Sequence, residues 1–195
     1  MHDLKAWVFD LDGTLTLAQH DFAAIRRELG IPAGDDILCF IASRPLSERE
    51  QLSSQLDAIE MRLAAEVRAA PGAAELIRHL HESGRHIGIL TRNLQQVARS
   101  SLELLGVLDC FAPEHILGRD QALPKPDPDG IHQLLGRWSV ARTQAVMVGD
   151  FRFDLEAGRA AGCHTCLVHA DNQWPELADW HVTDCRDLMV QLTPP

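Results

Sequence analysis

The sequence predicts an α/β protein: a three-layer core on a mainly parallel sheet, interrupted after its first strand by a small α-helical cap. Three observations carry this expectation. Residues 5–10 (KAWVFD) are a short apolar run ending in an acid, the pattern of a strand buried on both faces. From residue 71 onward, strand-sized apolar runs alternate with helical periodicities, and parallel strands require such crossover connections. Between these regions, residues 16–69 carry only helical spacing.

The elements follow in order. In the intervening segment Phe22, Ile25 and Leu29 form one apolar stripe, and Leu52, Leu56, Ile59, Leu63 and Val67 a longer one. Ser47 with Glu50 has capping-box spacing for the second helix, and Gly30, Pro32, Gly34 and Pro45 punctuate the stretch. Beyond it, helices are expected at 73–82, 94–105, 128–138, 153–161 and 186–192. Strands are expected at 86–91, 114–117, 145–149 and 163–169, with an edge strand at 180–183. The division is therefore a core of residues 1–15 and 70–195 and a cap of 16–69. An insert leaving directly after the first strand sits over the carboxyl ends of the strands, where open α/β sheets hold their ligands.

The 28 acidic and 18 basic residues give a formal charge of −10, which argues against nucleic acid as a partner. No apolar run approaches the roughly 20 residues of a membrane span, and residues 1–5 lack a signal-peptide core. A cytoplasmic protein without membrane or nucleic-acid partners, monomeric or homodimeric, is expected. Five scattered cysteines fit free thiols, and Cys163-His164-Thr165-Cys166 reads better as part of a buried strand than as a redox pair or half a zinc site.

Four segments at strand ends carry chemistry. Asp10 and Asp12 are two residues apart, so in extended backbone both side chains face the same way; one suits attack on phosphorus and the other proton transfer. Thr91, followed by Arg92 and Asn93, either holds phosphate oxygens or caps the next helix. Lys125 lies between Pro124 and Pro126, which stiffen the backbone that carries its charge. Asp150 and Asp154 offer hard oxygen ligands that, with Asp10, suit Mg2+; alternatively they are a helix cap and a first-turn acid. In a parallel sheet these strand ends line one edge, which assembles every group that phosphoryl transfer needs.

With these residues in order, the chain resembles the haloacid dehalogenase-like (HAD) hydrolase superfamily over essentially its whole length. Asp10-Leu11-Asp12-Gly13-Thr14-Leu15, Thr91, Lys125 and Gly149-Asp150 with Asp154 match its four signatures in turn. The position of the cap is similar to that in the phosphoglycolate phosphatase-like branch of subfamily I. The resemblance implies a Rossmann-like core, Mg2+ as cofactor and hydrolysis of a small phosphorylated metabolite. It implies that Asp10 is the nucleophile and a metal ligand. Asp12 would be the acid–base, ligating the metal through its carbonyl. Thr91 and Lys125 would hold the phosphoryl group, Asp150 would be a direct metal ligand, and Asp154 would support the metal or Lys125. A phosphomutase of the β-phosphoglucomutase type and a non-catalytic binding module share these signatures.

Two features depart from the branch. Residues 16–21 (TLAQHD) lack its usual acid-Ser pair, and Phe151-Arg152 replaces the small polar residue that usually follows the Gly-Asp of the fourth signature. His20, Asp21, Arg26, Arg44 and Arg92 are candidate specificity residues, the basic ones suited to a second anionic group on the substrate.

Overall fold

The computed structural model describes residue 1, residues 3–18 and residues 21–192. Six strands form one sheet: β1 (Ala6–Phe9), β2 (His86–Leu90), β3 (Ile116–Leu117), β4 (Ala145–Gly149), β5 (His164–Val168) and β6 (Trp180–Val182). Their order is β3-β2-β1-β4-β5-β6 and every pairing is parallel. This is the doubly wound arrangement expected from the alternating pattern, with the direction of winding reversing between β1 and β4.

Alternation along β1 divides the core into two layers. Trp7 and Phe9 face one side, where α4 (Ala73–Glu82), α5 (Gln95–Leu104) and α8 (Cys185–Leu192) cover the sheet. Ala6 and Val8 face the other, covered by α6 (Asp129–Trp138) and α7 (Arg152–Ala161). All four residues of β1 are buried, which explains why the strand reads as a continuous apolar run. Cys163 and Cys166 lie in and beside buried β5, where burial pushes their thiols up to about 11 and about 12.

Three helices precede this winding: α1 (Phe22–Leu29), α2 (Ile37–Ala42) and α3 (Leu46–Ala64). They enclose their own cluster of Ile25, Leu29, Ile31, Ile41, Leu52, Leu56 and Ile59. The chain leaves and re-enters the core side by side. The Leu17 N–H donates to the Arg68 carbonyl at 2.9 Å, and the Ala70 N–H to the Leu15 carbonyl at 2.9 Å. α3 lies against α5 of the core.

Several local expectations are corrected. Ser47 does not cap α3; the helix starts one residue earlier, behind Pro45 and with no side-chain cap. α2 is an apolar six-residue helix with no polar face to betray it; Asp36 caps it by accepting from the Cys39 N–H at 3.0 Å. Phe22 is 54% exposed and leaves the α1 stripe, while Val67 lies beyond α3 and packs on the core. The strand expected at 114–117 shrinks to its last two residues because Pro113–His115 forms a 3-10 turn.

Candidate active site

The carboxyl ends of β1 and β4 are adjacent, so the first and fourth signature segments meet where the winding reverses. Asp10 extends the β1–β4 ladder by one bond, its N–H donating to the Val148 carbonyl at 2.9 Å. Its side chain thereby enters the crevice beside Asp150. Gly13, at φ +89°, permits this approach: a Cβ there would lie 2.3 Å from a carboxylate oxygen of Asp150. Thr14, wholly buried, donates its hydroxyl to Asp150 Oδ1 at 3.2 Å. Gly149 does for Asp154 what Gly13 does for Asp150, since a Cβ at 149 would meet the Asp154 carboxyl at 2.2 Å.

Lys125 reaches this cluster from the loop before α6 and is almost fully buried. Its Nζ lies 2.5 Å from Asp10 Oδ1 and 2.6 Å from Asp154 Oδ1. Burial alone would lower the lysine's pKa, but the two carboxylates outweigh it and raise it. Asp154 divides its carboxylate, Oδ2 accepting from the Phe151 N–H at 3.0 Å. Asp154 is thus a positioning group for Lys125 as much as a first-turn acid of α7.

Asp10, Asp150 and Asp154 each offer an oxygen within 4.8 Å of the others'. Burial first, then the neighbouring Asp10 charge, raises the pKa of Asp150. Burial, with Asp10 and then Glu60 adding to it, pushes Asp12 up to about 8. One lysine therefore leaves the carboxylates of this largely buried cluster incompletely compensated. A divalent cation would supply the missing charge, and an all-oxygen donor set suits a hard ion such as Mg2+. The Asp12 side chain is not in this trio; its Oδ2 accepts from the Asn93 side-chain amide at 2.7 Å.

Thr91 is buried at the end of β2, and its hydroxyl oxygen accepts from the Asn93 N–H at 3.1 Å. It does not cap α5, whose first flanking residue is Leu94. Its own O–H remains available to donate into the pocket. The side chains of Arg92 and Asn93 are committed elsewhere: Arg92 Nη2 bonds both oxygens of Asp36 at 2.7 and 2.8 Å, and Asn93 holds Asp12.

Above these groups is a cavity of about 400 Å³ whose floor includes Asp10, Asp12, Thr91, Lys125 and Asp150, and whose far wall comes from α1–α3. The specificity candidates scatter. Asp21 caps α1, accepting from the Ala24 N–H at 2.9 Å. Arg26 lines the cavity, its Nε donating to the Asp35 carbonyl at 2.8 Å. Arg44 sits 4.3 Å over the Phe40 ring and does not line the cavity. His20 lies outside the described residues.

Two partnerships escaped the sequence reading. Arg119, in the loop after β3, bonds Glu60 at 2.7 Å and Asp57 at 2.5 Å, tying α3 to the core. Burial pushes Glu60 up to about 7 in spite of Arg119. Nothing marked Arg119 in advance, since it is one arginine in an ordinary loop. The Thr14–Asp150 bond was within reach, because Thr14 stands inside the first signature.

The geometry agrees with the company the chain keeps. The sequence pattern described as haloacid dehalogenase-like hydrolase matches residues 7–168. An uncharacterized hydrolase of Saccharomyces cerevisiae is 29% identical, over 95% of this chain and 89% of that protein. A phosphoglycolate phosphatase of Rhodospirillum rubrum is 32% identical, over 81% of this chain and 76% of its own length. Among solved structures, a hydrolase from Pseudomonas syringae superposes with a TM-score of 0.80 at 24% identity, covering 96% of this chain and 97% of that one. By this match, and by the four signature segments converging on one crevice, the chain belongs to the haloacid dehalogenase-like hydrolase family.

Proposed function

We propose that the protein is a Mg2+-dependent phosphatase that hydrolyses a small phosphate monoester through an aspartyl-phosphate on Asp10. The observation that carries this reading is the meeting of Asp10, Asp150 and Asp154 around one buried lysine, beneath a cavity walled by an inserted set of helices. Residues 16–69 act as the cap over that cavity, and the rest of the chain as the catalytic core.

Lys125 fixes one oxygen of Asp10 and, with the Thr91 hydroxyl, neutralises and orients the incoming phosphoryl group. The Asp10 carboxylate attacks phosphorus as the bond to the leaving oxygen breaks. Asp12, held protonated near neutral pH by its burial and its acidic neighbours, donates its proton to that oxygen. Asn93 fixes the Asp12 carboxyl for this transfer. Asp12, now a carboxylate, takes a proton from water as the water attacks the phosphorus of the aspartyl-phosphate, which frees inorganic phosphate and restores Asp10. The Asp10 and Asp150 carboxylates and the Asp12 carbonyl would hold Mg2+, with Asp154 in support; the bound ion supplies charge neutralisation of the transferring phosphoryl oxygens.

The test is phosphate release from a panel of phosphorylated metabolites, with and without Mg2+, beside the Asp10→Asn variant. Mg2+-dependent release that the variant lacks is the expected result. Interconversion of a sugar phosphate without release would point to a mutase instead.

A further inference from the structure

The branch is named for a very small, doubly anionic substrate, and the pocket of this chain is built for something different. Its walls above the carboxylate floor are apolar, formed by Phe22, Ile37, Leu38, Leu56, Phe151 and Phe153. Most charges between them are matched. Arg92 is bonded to Asp36 and also stacks 4.7 Å over the Phe153 ring. Glu60 is bonded to Arg119 behind the wall. Arg26 donates its Nε to the neutral Asp35 carbonyl and keeps its charge at the edge of the cavity.

The departure at the fourth signature explains part of this wall. Phe151 stands where the family branch usually has a small polar residue, and it is 49% exposed directly beside the metal-binding Asp150. Its ring meets Phe153 edge-on at 5.2 Å and Trp174 at 5.4 Å, so it is held in place by aromatic neighbours on two sides. An exposed, braced aromatic face at the edge of a cavity of about 400 Å³ is a surface for an apolar ring or chain.

We infer that the substrate is a phosphate monoester whose alcohol portion bears a ring-sized apolar face, recognised by Phe151 and Phe153 with the apolar side of the cap. The inference rests on the phosphatase reading above and deepens it. The phosphoryl group occupies the floor, and the leaving group fills the space that a two-carbon acid would leave empty. Burying that apolar face supplies the binding energy.

The experiment compares kcat/KM for three phosphate monoesters with Mg2+ present: ethyl phosphate, phosphoglycolate and benzyl phosphate. Benzyl phosphate is expected to exceed both of the others by at least ~10-fold. In Phe151→Ser, whose side chain is half exposed, the benzyl-to-ethyl ratio is expected to fall several-fold, through KM. Equal or better turnover of ethyl phosphate or phosphoglycolate, or an unchanged ratio in Phe151→Ser, overturns the inference while ethyl phosphate hydrolysis keeps the phosphatase reading intact. Absence of turnover with all three removes both together.

Discussion

Two acid–base clusters flank the cavity, and they are balanced differently. On the cap side, Asp57 and Glu60 converge on the single guanidinium of Arg119 at 2.5 and 2.7 Å. On the floor, Asp10, Asp12, Asp150 and Asp154 crowd round a single ammonium that pairs directly with two of them. Arginine presents a planar fork with several donors, so one side chain serves two carboxylates and a backbone carbonyl, here that of Arg92 at 2.9 Å. Lysine is a compact point charge and leaves the floor short of cations. The cap cluster is a finished structural joint. The floor holds more carboxylates than its lysine pairs with, and a bound cation would complete it.

This contrast can be broken at several points. The largest effect is expected for Asp10→Asn, which keeps size and burial but removes the proposed nucleophile; turnover should drop by at least ~10⁴-fold in a phosphate-release assay while the circular dichroism spectrum is retained. Lys125→Met should lower kcat/KM by about 10²–10³-fold. It should also destabilise the metal-free protein by roughly 3–5 kcal/mol in urea unfolding, because buried carboxylates lose their partner. A wild-type urea midpoint in that variant would refute the electrostatic account of the floor.

Arg119→Ala should cost about 2–3 kcal/mol, less than a fully buried pair because Asp57 is 38% exposed. The double change Arg119→Met with Glu60→Met should recover most of that loss, since a finished structural joint can be replaced by apolar packing. No similar exchange should rescue activity at Lys125 and Asp154. If the double variant were worse than the single one, the joint would have a role beyond structure.

The smallest effect sharpens the metal argument through pH. Asp12 sits near 8 in the folded state against an ordinary 3.8, and Asp150 and Asp154 are also raised. An acid with a raised folded pKa keeps its proton in the native state after the unfolded chain has lost it. Its contribution is therefore fully present below about 4 and is lost as pH rises toward 8. Metal-free protein should accordingly lose thermal stability across that window. Mg2+ at tenfold its dissociation constant should restore about 1.4 kcal/mol, or roughly 3–6 °C, at pH 8. The gain should shrink at pH 5, where protons compete for the same oxygens. An equal gain at both values would mean that the ion binds elsewhere.

Much of the core was legible because its signals are local. A strand buried on both faces must be apolar throughout, as Trp7, Val8 and Phe9 are, and a residue at its carboxyl end must face the crevice. That is why Asp10, Thr91 and Asp150 could be expected at the crevice; Lys125 enters it from the loop before α6, eight residues beyond the end of β3. The cap was less legible because its signals are tertiary. α2 buries one residue of a nearly all-apolar run, so no periodicity announces it, and α3 begins behind Pro45 rather than at a capping serine. The arginines expected to recognise substrate were equally ambiguous: the sequence shows their charge, but only the fold reveals that Asp36 already holds Arg92 and that Arg44 rests on Phe40.

The hydrogen-bonded segments at 15–17 and 68–70 have a further consequence. They clamp the two ends of the insert within one hydrogen bond of each other, so the core is presented with a loop that is already closed. The entropy of closing such a loop grows only with the logarithm of its length, about 0.6 kcal/mol for each doubling. An exchange of everything between the clamped ends, for a longer module or a shorter one, would change the loop-closure entropy little, so its cost would lie in replacing the Arg119 joint and the packing of α3 on α5. The segments at 15–17 and 68–70 thus form a socket at the rim of the candidate site, a single point of attachment for everything that walls the cavity from above.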